Sequence, residues 1–74
     1  MDAIMKSLTI RINMALSLIA ETGGQTKTAS AFSVTQGAVS NWTRRGLPRR
    51  IEEIARLKFA WYDVWKRYAP YEGL

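Results

Sequence analysis

The chain contains neither cysteine nor histidine. Without thiols it can form no disulfide, and without thiolate or imidazole it lacks the common zinc ligands and the usual nucleophile and base pairings. Acidic side chains are scarce as well: six Asp and Glu stand against eleven Lys and Arg, giving a formal charge of +5. So few isolated acids offer no paired constellation for acid-base chemistry, so an enzyme is the least favoured class, and no metal or cofactor is expected. Long apolar runs are missing too. The fairly apolar stretch from Ile12 to Ala20 falls well short of the roughly 20 residues of a membrane span. Nor does that stretch read as a signal peptide, because Asp2 sits in the would-be basic region and bulky Leu18 lies three residues before a cut after Ala20. No membrane attachment and a cytoplasmic location are expected.

What is present is a short, basic chain. With 74 residues there is room for one domain, residues 1–74, and one core, so function must sit on the surface. Stability without disulfides must come from well-packed helices, from dimerisation, or from both. The excess of cations favours a polyanionic partner. Their distribution says more than the total. Between Glu21 and Glu52 there is no acidic residue, while Lys27, Arg44, Arg45, Arg49 and Arg50 all fall there.

Gly23-Gly24, Gly46 with Pro48, and Pro70 punctuate the chain. A first helix is expected from about Thr9 to Thr22, with Ile12, Ala15, Leu16 and Ile19 as its core face. Residues 1–7 either extend it, since Ile4 and Leu8 continue the stripe, or form a loose arm. A short second helix runs from Gln25 to Phe32, with Ala29 and Phe32 inward. Ser33 and Val34 make a turn, and Thr35 is a natural N-cap for a third helix in which Ala38, Val39 and Trp42 share one buried side. Its other side carries Gln36, Gly37, Ser40, Asn41, Thr43 and Arg44. Gly46-Leu47-Pro48 stops that helix and starts another, with Pro48 suited to the first helical position. Beyond it, Ile51, Ile54, Ala55 and Leu57 belong either to one bent helix reaching about Arg67 or, the favoured reading, to a fourth helix ending near Lys58 with a fifth after it.

The segment 25–44, within the longer run GGQTKTASAFSVTQGAVSNWTRRGLPRRIEEIARL at residues 23–57, resembles the helix-turn-helix of phage Cro and CI repressors and is similar to their YdaS-like branch. The resemblance implies an all-α fold, a small lambda-repressor-like helix-turn-helix bundle of four to five helices. It also implies that Gln25 braces against phosphate, that Ala29 is the small residue at the helix crossing, that Val34 is the apolar residue after the turn, and that Val39 and Trp42 are the paired core positions. One departure is Ser33, where the family often has glycine at a positive φ. An L-residue there is strained by about 1 kcal/mol.

Sequence reading of double-stranded DNA would fall to Gln36, Gly37, Ser40, Asn41 and Arg44. Gln36 can offer adenine a donor and an acceptor together, and Gly37 would let the backbone approach the groove floor. Phosphate contacts would come from Gln25, Thr26, Lys27, Thr35, Thr43, Arg45, Arg49 and Arg50. Arg49 and Arg50 occupy a first helical turn, where the macrodipole disfavours cations; either an anion relieves this or Glu52 and Glu53 pair with them at three-residue spacing. The segment 59–69 gathers Phe59, Trp61, Tyr62, Trp65 and Tyr68, with Tyr71 beyond. Trp61, Trp65 and Tyr68, in line with Ile54 and Leu57, either complete the core or anchor a homodimer, and a strand in place of a helix also stays open here. The expected function is a dimeric, sequence-specific DNA-binding regulator acting as a Cro-like repressor at a near-palindromic site. The alternative is an antitoxin whose aromatic segment holds a small protein partner, a toxin. A membrane-surface helix, with Lys58, Lys66 and Arg67 flanking tryptophans, is the weakest rival.

Overall fold

The computed structural model describes the backbone of residues 2–68 and the side chains of residues 8–67. Over that span the chain is all-helical: α1 (Asp2–Thr22), α2 (Gln25–Phe32), α3 (Gln36–Arg45), α4 (Arg49–Lys58) and α5 (Trp61–Tyr68), with no strand among the described residues. The aromatic segment is thus helix from Trp61 to Tyr68, after a break at Phe59 and Ala60. The side chains of Ile4 and Tyr68, and all of Ala69 and Tyr71, lie outside what is described. No helix among the described residues is long and apolar enough to cross a membrane.

Helix α1 extends back through residues 2–7 and presents a different face from the one periodicity selects. Met14, Ala15 and Leu18 are buried, whereas Leu16 is 49% exposed and Ile12 only half-buried. Every residue from Met14 to Ala20 except Ser17 is apolar, so a hydrophobic stripe can be drawn on either side of the helix. Packing against α2 and α3 makes the choice.

The core joins those α1 residues to Ala29 and Phe32 of α2, Val39 and Trp42 of α3, Leu47 of the α3–α4 linker, Ile51 and Ala55 of α4, and Trp61 of α5. Phe32 meets Trp42 edge-to-face at 6.0 Å and Phe59 at 5.4 Å, arrangements each worth about 0.5–1.5 kcal/mol beyond area burial. The stripe expected to run from Ile54 and Leu57 into Trp61 is broken. Phe59 ends α4 with φ −129° and ψ 137°, so α5 starts with a new helical phase and Leu57 is left 80% exposed. Pro48 stands one place earlier than expected, as the N-cap of α4, at φ −63° and ψ 146°.

Trp61 is 2% exposed, and its indole Nε1 donates to Ser17 Oγ at 2.8 Å, pinning α5 to α1. Of the two roles open to it, core and dimer anchor, it takes the first, because its ring is already covered within the single chain. Trp65 stacks on it at 6.5 Å and stays half-buried.

One polar residue holds the second half of the bundle in place. Arg11 of α1 donates through Nε to Leu47 O at 2.7 Å and through Nη2 to Glu52 Oε1 at 2.8 Å, while its own carbonyl accepts from Leu47 N at 3.0 Å. Both partners of the Arg11–Glu52 pair are about three-quarters shielded, at 22% and 24% side-chain exposure. The linker comes so close that a β-carbon at Gly46 would fall 2.8 Å from the Arg11 Cβ, and Gly46 also takes φ +94°. Glycine is required there on both counts. Tyr62 of α5 adds a longer bond, 3.4 Å, to the other oxygen of Glu52.

Arg11→Ala should lower the unfolding free energy by about 2–3 kcal/mol, because it strands Glu52 and the Leu47 carbonyl together. Glu52→Gln should cost ~1 kcal/mol, and the double variant less than the sum. Urea titration of all three checks this; an Arg11→Ala loss within about 0.5 kcal/mol, ordinary for a surface site, would contradict it.

Candidate nucleic-acid interface

Helices α2 and α3 are joined by three residues, Ser33, Val34 and Thr35, an arrangement compatible with a helix-turn-helix. Ser33 ends α2 in the left-handed region, φ 56° and ψ 45°, where its N–H reaches back to Ala29 O and Ser30 O. Ser33 is the one non-glycine residue at positive φ among the described residues. Val34 N donates to Ala29 O at 2.9 Å, completing the stop, and Val34 packs partly buried on the core. Thr35 then caps α3: its Oγ1 accepts from Ala38 N at 3.0 Å.

The ten residues of α3 are sharply two-sided. Val39 is fully buried and Trp42 is 5% exposed, while Gln36, Gly37, Asn41, Arg44 and Arg45 are exposed and Ser40 and Thr43 half-buried. All five expected base-reading residues therefore belong to the helix surface and none is sealed in the core. Arg44 Nη2 donates to Asn41 Oδ1 at 2.8 Å, which draws the guanidinium back along its own helix. Gln36 Nε2 donates to Thr26 Oγ1 at 2.7 Å, tying the start of α3 to the start of α2.

The expected phosphate contacts divide. Gln25, Thr26, Lys27, Thr35, Arg45, Arg49 and Arg50 are all exposed. Thr43 differs, because its hydroxyl donates to Ser40 O at 2.6 Å, leaving only acceptor capacity for a partner that is itself all acceptor. Thr35 Oγ1 is engaged as an acceptor by the cap and keeps its proton for donation.

Cations gather around the helix starts. Helix α2 begins after Gly24 with no side-chain cap and no acid in its first turn. Pro48 likewise gives α4 no side-chain cap, and Arg49 and Arg50 follow it. Neither arginine has a carboxylate within salt-bridge distance among the described residues, and Glu52, the acid in that turn, is taken by Arg11. The pairing of Arg49 and Arg50 with Glu52 and Glu53 does not form; Arg49, Glu52, Glu53 and Arg56 instead line an open notch of about 120 Å³. Because only residues 46–48 separate α3 from α4, Arg45 and Arg49 lie at most about 14 Å apart by chain length alone.

Two contributors to this surface are not singled out by the sequence. Arg11 sets the linker between the two arginine pairs from 36 residues away, and buried Thr28, whose hydroxyl meets Thr22 and donates to Gly24 O at 2.7 Å, fixes the turn that leads into α2. An alternation of Thr residues across Gly23-Gly24 is the one hint of the latter. Comparison of the chain with protein-family models, curated proteins and solved structures finds no match.

A β-carbon at Gly37 would meet nothing nearer than Thr35 Oγ1 at 3.8 Å, and its backbone needs no special conformation. The fold itself does not call for glycine here. Gly37→Ala should raise stability by about 0.5–1 kcal/mol, the ordinary helical gain. Thermal melts check it, and a destabilised variant would show that the helix needs the glycine after all.

Proposed function

We propose that this protein is a sequence-specific double-stranded DNA-binding regulator, a Cro-like repressor of the helix-turn-helix kind, that sets α3 in a major groove. The observation that carries the reading is the two-sidedness of α3: a core-anchored stripe of Val39 and Trp42 behind an outward surface of Gln36, Gly37, Asn41 and Arg44. Short, polar, hydrogen-bonding side chains match base edges, and a helix of this size fits the groove. Uncapped starts of α2 and α4, with Lys27, Arg49 and Arg50 beside them, suit phosphates. An anion there removes the conflict between the two arginines and the α4 dipole. Gly37, unneeded by the fold, lets the backbone come close to the bases.

Pairing of two copies would place two such helices about 34 Å apart, on successive grooves of a near-palindromic site. Trp65, half-buried, and Val64, 52% exposed, supply apolar surface on α5 for that contact. The same exposure, with Leu57, supports a second reading, in which a small protein partner such as a toxin covers it. A partner that co-purifies in equal amount, with no dimer by sedimentation, would favour that second reading.

Selection of duplexes from a random pool at two salt concentrations should enrich a short, near-palindromic sequence, with affinity falling steeply as salt rises. On it, Gln36→Ala should lose about 1–3 kcal/mol and relax preference at one base pair, while Arg49→Ala should weaken every duplex and lower the salt slope by about one. Enrichment of no sequence at either salt would remove the reading.

A further inference from the structure

Asn41 and Arg44, one turn apart and both exposed on α3, are joined by a bond of 2.8 Å from Arg44 Nη2 to Asn41 Oδ1. A guanidinium only donates, so the bond fixes which end of the Asn41 amide is turned to it. The carbonyl faces Arg44. The two N–H groups of Nδ2 have no partner among the described residues and remain to be donated. Gly37 stands four residues before Asn41 and seven before Arg44, hence on the same side of the helix. A β-carbon there would meet nothing nearer than Thr35 Oγ1 at 3.8 Å, so the backbone beside the pair is uncovered.

An asparagine with both amide ends available offers adenine an acceptor and a donor together, matching its N6 amino group and N7. In this pair the acceptor is taken by Arg44. The second lone pair of Oδ1 lies beside the guanidinium, where an adenine amino group would bring donor against donor. Guanine instead presents N7 and O6, two adjacent acceptors that no other base shows in the major groove. The Asn41 amide N–H groups and the remaining guanidinium N–H groups are all donors and match that edge. We infer that Arg44 is a positioning residue that turns Asn41 from an adenine reader into a guanine reader. This inference rests on the DNA-binding reading above and assigns its base preference at one position.

The test uses the full chain and the selected duplex, varied one base pair at a time, with binding read by fluorescence anisotropy. Asn41→Ala locates the pair that Asn41 reads, as the one where preference is lost. There the unaltered protein should favour G·C over A·T by about tenfold. Arg44→Met keeps an unbranched stem and removes every donor. It should reverse the order at that pair, binding A·T about tenfold better than G·C, with preferences elsewhere and the melting temperature kept. Asn41→Ala added to Arg44→Met should erase the preference so gained. Loss of the G·C preference without reversal would mean that Arg44 alone reads the guanine, and a uniform loss on all duplexes that it meets only phosphate; both overturn the inference. It is equally overturned if Asn41→Ala alters preference at no pair, or if the unaltered protein favours A·T there. If the unaltered protein selects no duplex, the DNA-binding reading itself fails, a result visible before any variant is measured.

Discussion

The guanidinium of Arg11 reaches the carbonyl of Leu47 and the carboxylate of Glu52, and its backbone carbonyl receives the Leu47 N–H. These three bonds fix residues 46–48 against α1 and thereby set the angle at which α4 leaves α3. Ile51 and Ala55 seat α4 on the core, and the Arg11 bonds add direction to a three-residue linker that has one buried side chain, Leu47. A partly buried ion pair whose other lone pairs and protons are also bonded gives the geometry that hydrophobic contacts leave loose. Gly46 is a consequence of the same closeness, because no β-carbon fits beside Arg11.

By holding Glu52, Arg11 also takes away the acid that would neutralise the start of α4. Arg49 and Arg50 then face a helix dipole of their own sign, at a cost of roughly 0.3–1 kcal/mol each at low salt. Gly37 is a second local cost with no return inside the fold. Neither local cost is offset by a contact within the described fold, and the binding proposed above would offset both. The same acid-free stretch from Glu21 to Glu52 that raises the local charge leaves those cations with few internal partners.

Legibility in the sequence follows the range of the interactions. The turn and both motif helices were readable from Gly23-Gly24, Thr35 and Gly46, because caps and breaks are decided within a few residues. Val39 and Trp42 are equally plain, since apart from Gly37 and the small Ala38 the rest of α3 is polar. Helix α1 was misread because its apolar residues surround it, so the buried side is a tertiary choice. Leu57 was misread because a stripe was carried across a break that resets the helical phase. Arg11 carries no local signal of its role, because the carboxylate that claims it lies 41 residues away. Among the candidate site residues, exposure of Gln36, Gly37, Asn41 and Arg44 follows from periodicity. The inward turn of Thr43 and the bond from Gln36 to Thr26 depend on side-chain rotamers, which no spacing encodes.

In the DNA-binding role proposed above, the outward side of α3 would meet bases while cations at the starts of α2 and α4 would meet phosphates. Amide chemical-shift mapping during titration of the selected duplex tests this most directly. It predicts the largest shifts at Thr26, Lys27, Gln36, Gly37, Ser40, Asn41, Arg49 and Arg50, with Leu18 and the Trp61 indole unmoved. Shifts confined to α1 and α5, with α3 silent, would contradict it.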